Sequence, residues 1–241
     1  MRLITLGDSW VYGVGTEYKE GMTETEYRDM AWKESKNCFR HLVSDQLGLE
    51  NLNLSVGGSS NQTQFRLALE TFFGDNKIAP TDSDVVLWGI TSVFRTELWY
   101  TDQEEFKSLF LPDGSAVGKI LATRHHNEDE EIKILGHQMN LWNSYFKSKN
   151  IKNYWFNIFN DHSWGIEIDN LLFQDSSMLS MLINDTEKND IYHISDWQFT
   201  DRKIKLAKEL KLVNPISGHP TIKGHKMIAD ILIKEMQRRA K

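Results

Sequence analysis

The sequence predicts an α/β fold in which a parallel β-sheet lies between layers of helices. Residues 3–6 and 84–88 are short and mainly apolar, which is typical of buried strands. Stretches with helical spacing of apolar side chains follow each of these runs. Because strands alternate with helices along the chain, we expect the strands to run parallel and to be joined by crossover helices.

Four strands and five helices are predicted for the main part of the chain. The strands are residues 3–6, 51–56, 84–88 and 153–159. The helices are residues 35–47, 62–73, 132–147, 201–210 and 221–239. In the last helix Thr221 can cap the first turn, and apolar side chains recur along one face.

Two polar regions interrupt this alternation. Residues 16–33 are interpreted as a loop over the site. Residues 97–131 combine apolar pieces of helical spacing with a turn and a charge run, and we interpret them as an insertion or lid beside the sheet. The chain as a whole, residues 1–241, is expected to be a single domain.

Composition excludes several classes of function. The net charge of −6 argues against a general nucleic-acid binder, which normally carries a basic patch. The single cysteine, Cys38, excludes an intrachain disulfide and a cysteine-rich metal site. No apolar run approaches the roughly 20 residues of a membrane span, and no signal peptide is evident, so a cytoplasmic protein is expected. The oligomeric state does not follow from the sequence.

Four positions at strand ends and helix starts are candidates for an active site. Ser9 follows the first predicted strand, Gly58 the second and Thr91 the third, while His219 precedes the last helix. In an open parallel sheet the carboxyl ends of the strands form the edge where ligands bind. A serine hydroxyl becomes a useful nucleophile when a base takes its proton, and a histidine can be that base.

These blocks resemble the SGNH, or GDSL, hydrolase family over residues 3 to about 230. Gly7-Asp8-Ser9 matches the nucleophile block, and residues 53–58 are similar to the block whose final glycine, Gly58, donates a backbone N–H to the oxyanion. His219-Pro220-Thr221 looks like the block that supplies the base. The resemblance implies a three-layer α/β/α sandwich with a flavodoxin-like parallel sheet.

The sequence departs from the family pattern at two places. The family's third block is Gly-x-Asn, and its asparagine completes the oxyanion hole, whereas this chain has Gly89-Ile90-Thr91. Thr91 therefore either contacts the oxyanion or packs at the strand end. The family's acid sits three residues before the histidine, where this chain has Ile216. A backbone carbonyl, Ser217 or an acid from elsewhere would have to hold the His219 tautomer.

The residues predict ester hydrolysis through an acyl-enzyme, with Ser9 as nucleophile and His219 as base. The expected substrate is a small ester or acylated sugar, and the chemistry calls for no metal or organic cofactor. Asp8 is expected to bond nearby backbone N–H groups, and Arg95 either pairs with Glu97, which we favour, or binds a polar substrate.

Two other interpretations of the sequence remain open, one of the function and one of a possible metal site. The alternative to an esterase is a scaffold that has lost catalytic power and acts as a binding or structural protein. His125-His126 lies beside four acidic residues and has the residue types of a metal site, but such a charge run is usually solvated surface. His225 is interpreted as an ordinary helix residue.

Overall fold

The computed structural model describes residues 1–33, 35–74, 78–101, 103–111, 116–124, 126–183 and 196–239. The strands are β1 (Arg2–Leu6), β2 (Glu50–Asn53), β3 (Val85–Ile90), β4 (Arg95–Tyr100), β5 (Glu105–Phe110) and β6 (Lys152–Asn157). The helices are α1 (Ser9–Tyr12), α2 (Glu24–Met30), α3 (Phe39–Leu47), α4 (Asn61–Phe73), α5 (Ala116–Arg124), α6 (Glu128–Ser148), α7 (Met178–Ile183), α8 (Asp196–Glu209) and α9 (Ile222–Arg239).

The predicted parallel sheet is confirmed. Four strands pair in the order β2-β1-β3-β6, and every pairing in this sheet is parallel. Between β1 and β3, for example, Leu3 lies opposite Val85 and Leu6 opposite Trp88. The carboxyl ends of the strands therefore meet at one edge.

Helices cover both faces of the sheet, as the side-chain alternation of its strands requires. Leu3 points into a core shared with α3 and α9, while Ile4 points into a second core shared with α4 and α6. Both side chains are completely buried. Strands buried on both faces account for the apolar runs in the sequence, and the fold class is α/β as predicted.

An ion pair joins the amino ends of β1 and β3. The Arg2 guanidinium lies 2.6 Å from Asp84 Oδ2, and the Arg2 backbone N–H donates to Asp84 Oδ1 at 2.8 Å. Burial raises the pKa of Asp84, but hydrogen bonds from Arg2 and Thr81 outweigh it and hold this pKa well below its usual range.

The interpretation of residues 97–111 as helical pieces is wrong. Strands β4 and β5 pair antiparallel as a hairpin outside the main sheet, with Arg95 opposite Phe110. Alternation explains the difference, because Trp99 and Phe106 meet across the strands with their ring centroids 4.9 Å apart. The following helix, α5, also belongs to the predicted insertion.

Residues 16–33 contain a helix that the sequence interpretation missed. Helix α2 begins with a capping box, in which Glu26 N–H donates to Thr23 Oγ1 and the Thr23 backbone N–H donates to Glu26. The spacing Thr23-x-x-Glu26 is the signal that could have identified it. His125 of the doubted metal cluster lies outside the described residues.

Helix α8 is held to the rest of the molecule by a buried lysine. Lys203 is 1% exposed, and its Nζ lies 2.5 Å from Asp161 Oδ2 and also contacts Ser180 Oγ. Burial raises the pKa of Asp161, but the charge and hydrogen bonds of its partners lower it further, so the net shift is downward. In the described part of the chain, no helix has the length and apolarity needed to span a bilayer.

Candidate active site

The turn after β1 brings Ser9 to the carboxyl edge of the sheet. A side chain at Gly7 would place its Cβ 2.1 Å from Val11 Cγ2, so only glycine allows α1 to fold back this closely. Asp8 caps α1, and its Oδ1 accepts a hydrogen bond from Trp10 N–H at 2.9 Å, as predicted. Ser9 is the first residue of α1 and is 5% exposed.

His219 reaches Ser9 from the loop before α9, although the two residues are 210 positions apart. His219 Nε2 lies 2.8 Å from Ser9 Oγ, which is hydrogen-bond distance. The backbone at Gly15 passes close behind His219. A Cβ at this position would be 2.3 Å from Pro220 O and 2.9 Å from His219 Cβ. The predicted serine and histidine are therefore in contact.

The surroundings of His219 favour its neutral form. Burial lowers the pKa of His219 to about 4; the charge of Asp8 opposes this shift and that of Arg95 adds to it. At neutral pH the imidazole is therefore uncharged. An uncharged ring has one bare nitrogen, which can accept the Ser9 proton when the other nitrogen carries its hydrogen.

Ser217 is the hydrogen-bond partner of His219 Nδ1. The sequence had left this partner open among a backbone carbonyl, Ser217 and an acid from elsewhere. Ser217 Oγ lies 2.7 Å from His219 Nδ1. The same oxygen lies 2.9 Å from the Tyr27 hydroxyl and 3.1 Å from Asn214 Oδ1. In this structure the ring is thus held by a serine hydroxyl within a neutral hydrogen-bond network.

The loop between β2 and α4 places Gly58 beside the nucleophile turn. Val56 N–H and Ser59 Oγ–H both donate to Gly7 O, at 3.0 and 3.2 Å. Gly58 has a φ of +73°, in the left-handed region that favours glycine. Within the described residues its N–H has no hydrogen-bond acceptor. Gly58 is exposed as a residue, so its unengaged N–H is the donor that we assign to a ligand under the proposed function.

Thr91 does not present its hydroxyl to an oxyanion, which corrects the first of our two expectations for it. The hydroxyl donates to Asp8 Oδ2 at 3.0 Å, and the residue is 1% exposed. Its backbone N–H and carbonyl both bind the Asn61 side-chain amide, at 3.0 Å each. Thr91 packs at the strand end because its hydroxyl donates a hydrogen bond to the buried side chain of Asp8.

The expected pairing of Arg95 with Glu97 is also wrong. Glu97 binds Arg66 on α4 at 2.8 Å, whereas Arg95 Nη1 lies 3.2 Å from Asp8 Oδ2. The Arg95 guanidinium also lies 5.7 Å from the centroid of the Phe159 ring. Arg95 is thereby directed towards the candidate site, which is where the less favoured reading placed it.

A cleft of about 280 Å³ opens beside Ser9 and His219. Its polar lining includes Arg95 from the hairpin and Lys208 from α8. Its apolar lining is contributed by side chains from several separate parts of the chain. These are Trp10, Phe94, Phe110, Phe159, Ile204 and Ile216. The hairpin, predicted as part of an insertion, thus forms one wall.

Tyr27, Asn214 and the residues of α8 that line the cleft were not predicted from the sequence. The capping box could have indicated a helix carrying Tyr27. No local pattern, however, shows that Tyr27 meets Ser217, because they lie 190 positions apart. His225, in contrast, is buried in α9 as interpreted, and its Nδ1 accepts a hydrogen bond from Phe39 N–H at 3.3 Å.

Comparison with solved structures supports the fold assignment. One similar structure is a carbohydrate esterase, described as having an active site with divergent catalytic and non-catalytic binding functions. It aligns with 98% of this chain and 68% of its own, at 12% identity and a TM-score of 0.50. The chain thus has an α/β fold similar to that of this esterase. The sequence matches no protein-family model and no curated protein sequence.

Two further structures align at lower TM-scores. An acetyl xylan esterase from the rumen bacterium Butyrivibrio proteoclasticus shares 12% identity over 99% of this chain and 64% of its own, with a TM-score of 0.48. A protein assigned to the G-D-S-L lipolytic family, from Desulfitobacterium hafniense DCB-2, shares 9% identity over 97% and 98% of the two chains, with a TM-score of 0.42.

Proposed function

We propose that this protein is a serine hydrolase that cleaves carboxylic esters through an acyl-enzyme on Ser9. The observation that carries the proposal is the 2.8 Å contact between Ser9 Oγ and His219 Nε2 at the wall of an open cleft. A nucleophile within hydrogen-bond reach of a base, which is itself oriented by a third group, is the arrangement that covalent acyl transfer needs.

In the proposed reaction, Ser9 Oγ attacks the ester carbonyl while its proton passes to His219 Nε2. The N–H groups of Ser9 and Gly58 stabilise the oxyanion of the tetrahedral intermediate. His219 then gives its proton to the departing alcohol, leaving an acyl group on Ser9. Water then gives a proton to His219 and attacks this acyl group. His219 passes the proton to Ser9 Oγ, and the acyl group leaves as a carboxylic acid.

Asp8 and Arg95 would support the site in different ways. The Asp8 carboxylate is completely buried, so we assign it to holding Thr91 and Arg95 in place around α1. Arg95 uses one nitrogen for Asp8 and lines the cleft, so its other N–H groups would bind a polar part of the substrate.

The substrate class we propose is a small ester, with an acetyl group on a carbohydrate as the first candidate. The mixed lining of the cleft supports this choice, since aromatic rings adjoin charged side chains close to Ser9. We also propose that the chain acts as a single domain in which the insertion, residues 97–131, serves as a lid. Its support is that Phe110 from β5 lines the cleft.

A second candidate function is a binding scaffold without hydrolytic activity. Two observations favour it: position 91 lacks the asparagine typical of the family that the sequence resembles, and the threonine hydroxyl present there donates to Asp8. Loss of one oxyanion donor typically lowers turnover by about 100- to 1,000-fold. A scaffold would retain the cleft but show no acyl transfer.

Labelling with a fluorophosphonate probe separates the two candidates. We expect rapid labelling of the wild type, none in Ser9→Ala, and labelling slowed by at least about 100-fold in His219→Ala. Ser144→Ala and His137→Ala, at positions on α6 outside the cleft lining, are the matched controls and should label like the wild type. A folded wild type that fails to label would exclude the esterase and favour the scaffold.

A further inference from the structure

The hydroxyl of Tyr27 is delivered to the active site by a small apolar cluster of its own. Tyr27 lies on α2, is 2% exposed, and packs with Val14 and Ala31, with the partly buried Ile216 against them. Its ring also meets Tyr18 edge-on, with the centroids 6.1 Å apart. These contacts fix the ring, so its hydroxyl has a defined position at Ser217.

The hydrogen bonds around Ser217 direct its proton away from His219. Ser217 Oγ has one proton and can accept two hydrogen bonds. Its proton points to the Tyr27 oxygen at 2.9 Å and Asn214 Oδ1 at 3.1 Å, which accept from it, and its own oxygen accepts from His219 Nδ1–H at 2.7 Å. Asn214 Nδ2–H in turn donates to the Tyr27 oxygen at 3.3 Å. In this arrangement His219 Nε2 is bare and faces Ser9.

A serine alone would hold the ring weakly. Ser217 is exposed, and an exposed hydroxyl can turn to water instead of to its neighbour. Tyr27 and Asn214 are both buried, and both contact this hydroxyl. Burial raises the pKa of the Tyr27 phenol, so Tyr27 stays an uncharged acceptor for Ser217 over the ordinary working range of pH.

We propose that Tyr27 is a positioning residue, acting through Ser217 to keep the His219 proton on Nδ1 and Nε2 open towards Ser9. This inference rests on the proposed esterase function. The neutral group Tyr27–Ser217–Asn214 would do the orienting work that a carboxylate does in a Ser-His-Asp triad. It would supply no charge to stabilise the protonated ring.

The charged and titratable groups around His219 lie elsewhere, so removing the Tyr27 hydroxyl changes ring orientation without changing a charge. Asp8 and Arg95 act on His219 from the turn after β1 and from the hairpin, and Asp201 and Lys208 line the cleft on α8. We therefore expect Tyr27→Phe to lower kcat while KM stays unchanged.

A double-mutant cycle tests this coupling, with hydrolysis of p-nitrophenyl acetate as the assay. Tyr27→Phe should lower kcat about three- to tenfold, the effect of losing one hydrogen bond. Ser217→Ala should lower it at least about tenfold, and Ser217→Thr, which keeps the hydroxyl, should restore most of the activity. Adding Tyr27→Phe to Ser217→Ala should cause no further loss, because the link to His219 is already broken.

Tyr18→Phe is the matched control and should behave like the wild type, since its ring packs on Tyr27 without reaching Ser217. Thermal unfolding of every variant verifies that each is folded at the assay temperature. If Tyr27→Phe lowered kcat by the same factor with Ser217 and with Ala at 217, its role would be structural and the proposal would be overturned.

Nitrogen NMR of the His219 ring keeps this inference separate from the proposed function. We expect the wild type to carry its proton on Nδ1, and Tyr27→Phe to shift part of the population to the Nε2–H tautomer. This result in a protein that hydrolyses no ester would support the positioning role while refuting the esterase. A wild-type ring protonated on Nε2 would refute the positioning role even in an active enzyme.

Discussion

His219, the proposed base, has a protonation state that is set by burial more than by a partner carboxylate. Its pKa is lowered to about 4, and the hydroxyl of Ser217 on Nδ1 carries no charge that would raise it. Proton uptake at Nε2 would remove the only lone pair available to Ser9. Because the shift is downward, the neutral and active form persists into acid.

We therefore expect kcat/KM to stay nearly constant from about pH 8 to about pH 5 and to fall by half near pH 4. With an ordinary histidine pKa of about 6.5, half of the activity would be lost about 2.5 pH units higher. A pH–rate profile measures this, with the probe-labelling rate over the same range as control. Half-loss near pH 6.5 would contradict the lowered pKa.

Among the single elements, α8 is held in place by the buried side chain of Lys203, which pairs with Asp161. Lys203 faces Asp161 and Ser180, while Ile204 and Lys208 on the same helix line the cleft. The ion pair between Lys203 and Asp161 therefore connects the stability of α8 to the shape of the cleft.

Lys203→Met should lower the free energy of unfolding by about 2–3 kcal/mol, because it leaves the Asp161 carboxylate without its cation. We expect a smaller loss than for a fully buried ion pair, because the Asp161 side chain is 25% exposed. KM should rise several-fold as α8 shifts. Urea unfolding and steady-state kinetics measure both effects.

The control for this substitution is Lys205→Met, on the exposed side of the same helix. It should leave the free energy of unfolding within about 0.5 kcal/mol of the wild type. Equal losses in the two variants would show that α8 is not held by Lys203.

In the molecule as a whole, the two ends of the sheet carry different groups. Ser9 lies at the carboxyl edge, whereas the Arg2–Asp84 pair lies at the amino edge. The pKa of Asp84 is held low in the folded protein, so folding gains free energy above the unfolded value near 4. That gain is lost as the pH falls towards the folded value.

Asp84→Asn should therefore cost about 2–3 kcal/mol of unfolding free energy at pH 7 and progressively less below about pH 4. Catalysis should be unaffected at temperatures where the variant is folded. Unfolding curves at several pH values measure this, with the exposed neighbour Asp82→Asn as control. A cost that did not change with pH would mean that the lost interaction is not ionic.

The sequence predicted the sheet, its helices and the meeting of Ser9 with His219, because each depends on a local pattern at a strand end or helix start. It did not predict the hairpin, where apolar residues at 106 and 109–111 suggested helical spacing. It left Thr91 open between two roles and favoured the wrong partner for Arg95, since both residues bind Asp8 through contacts more than 80 positions apart. Such long-range partners follow from the assembled fold and from no short motif.

The 210 positions between Ser9 and His219 also bear on synthesis. A ribosome makes Ser9, the proposed nucleophile, well before His219, the proposed base. Until His219 has left the exit tunnel, the nascent chain carries a serine with no group to activate it. The proposed acyl transfer can therefore begin only after residue 219 has been translated.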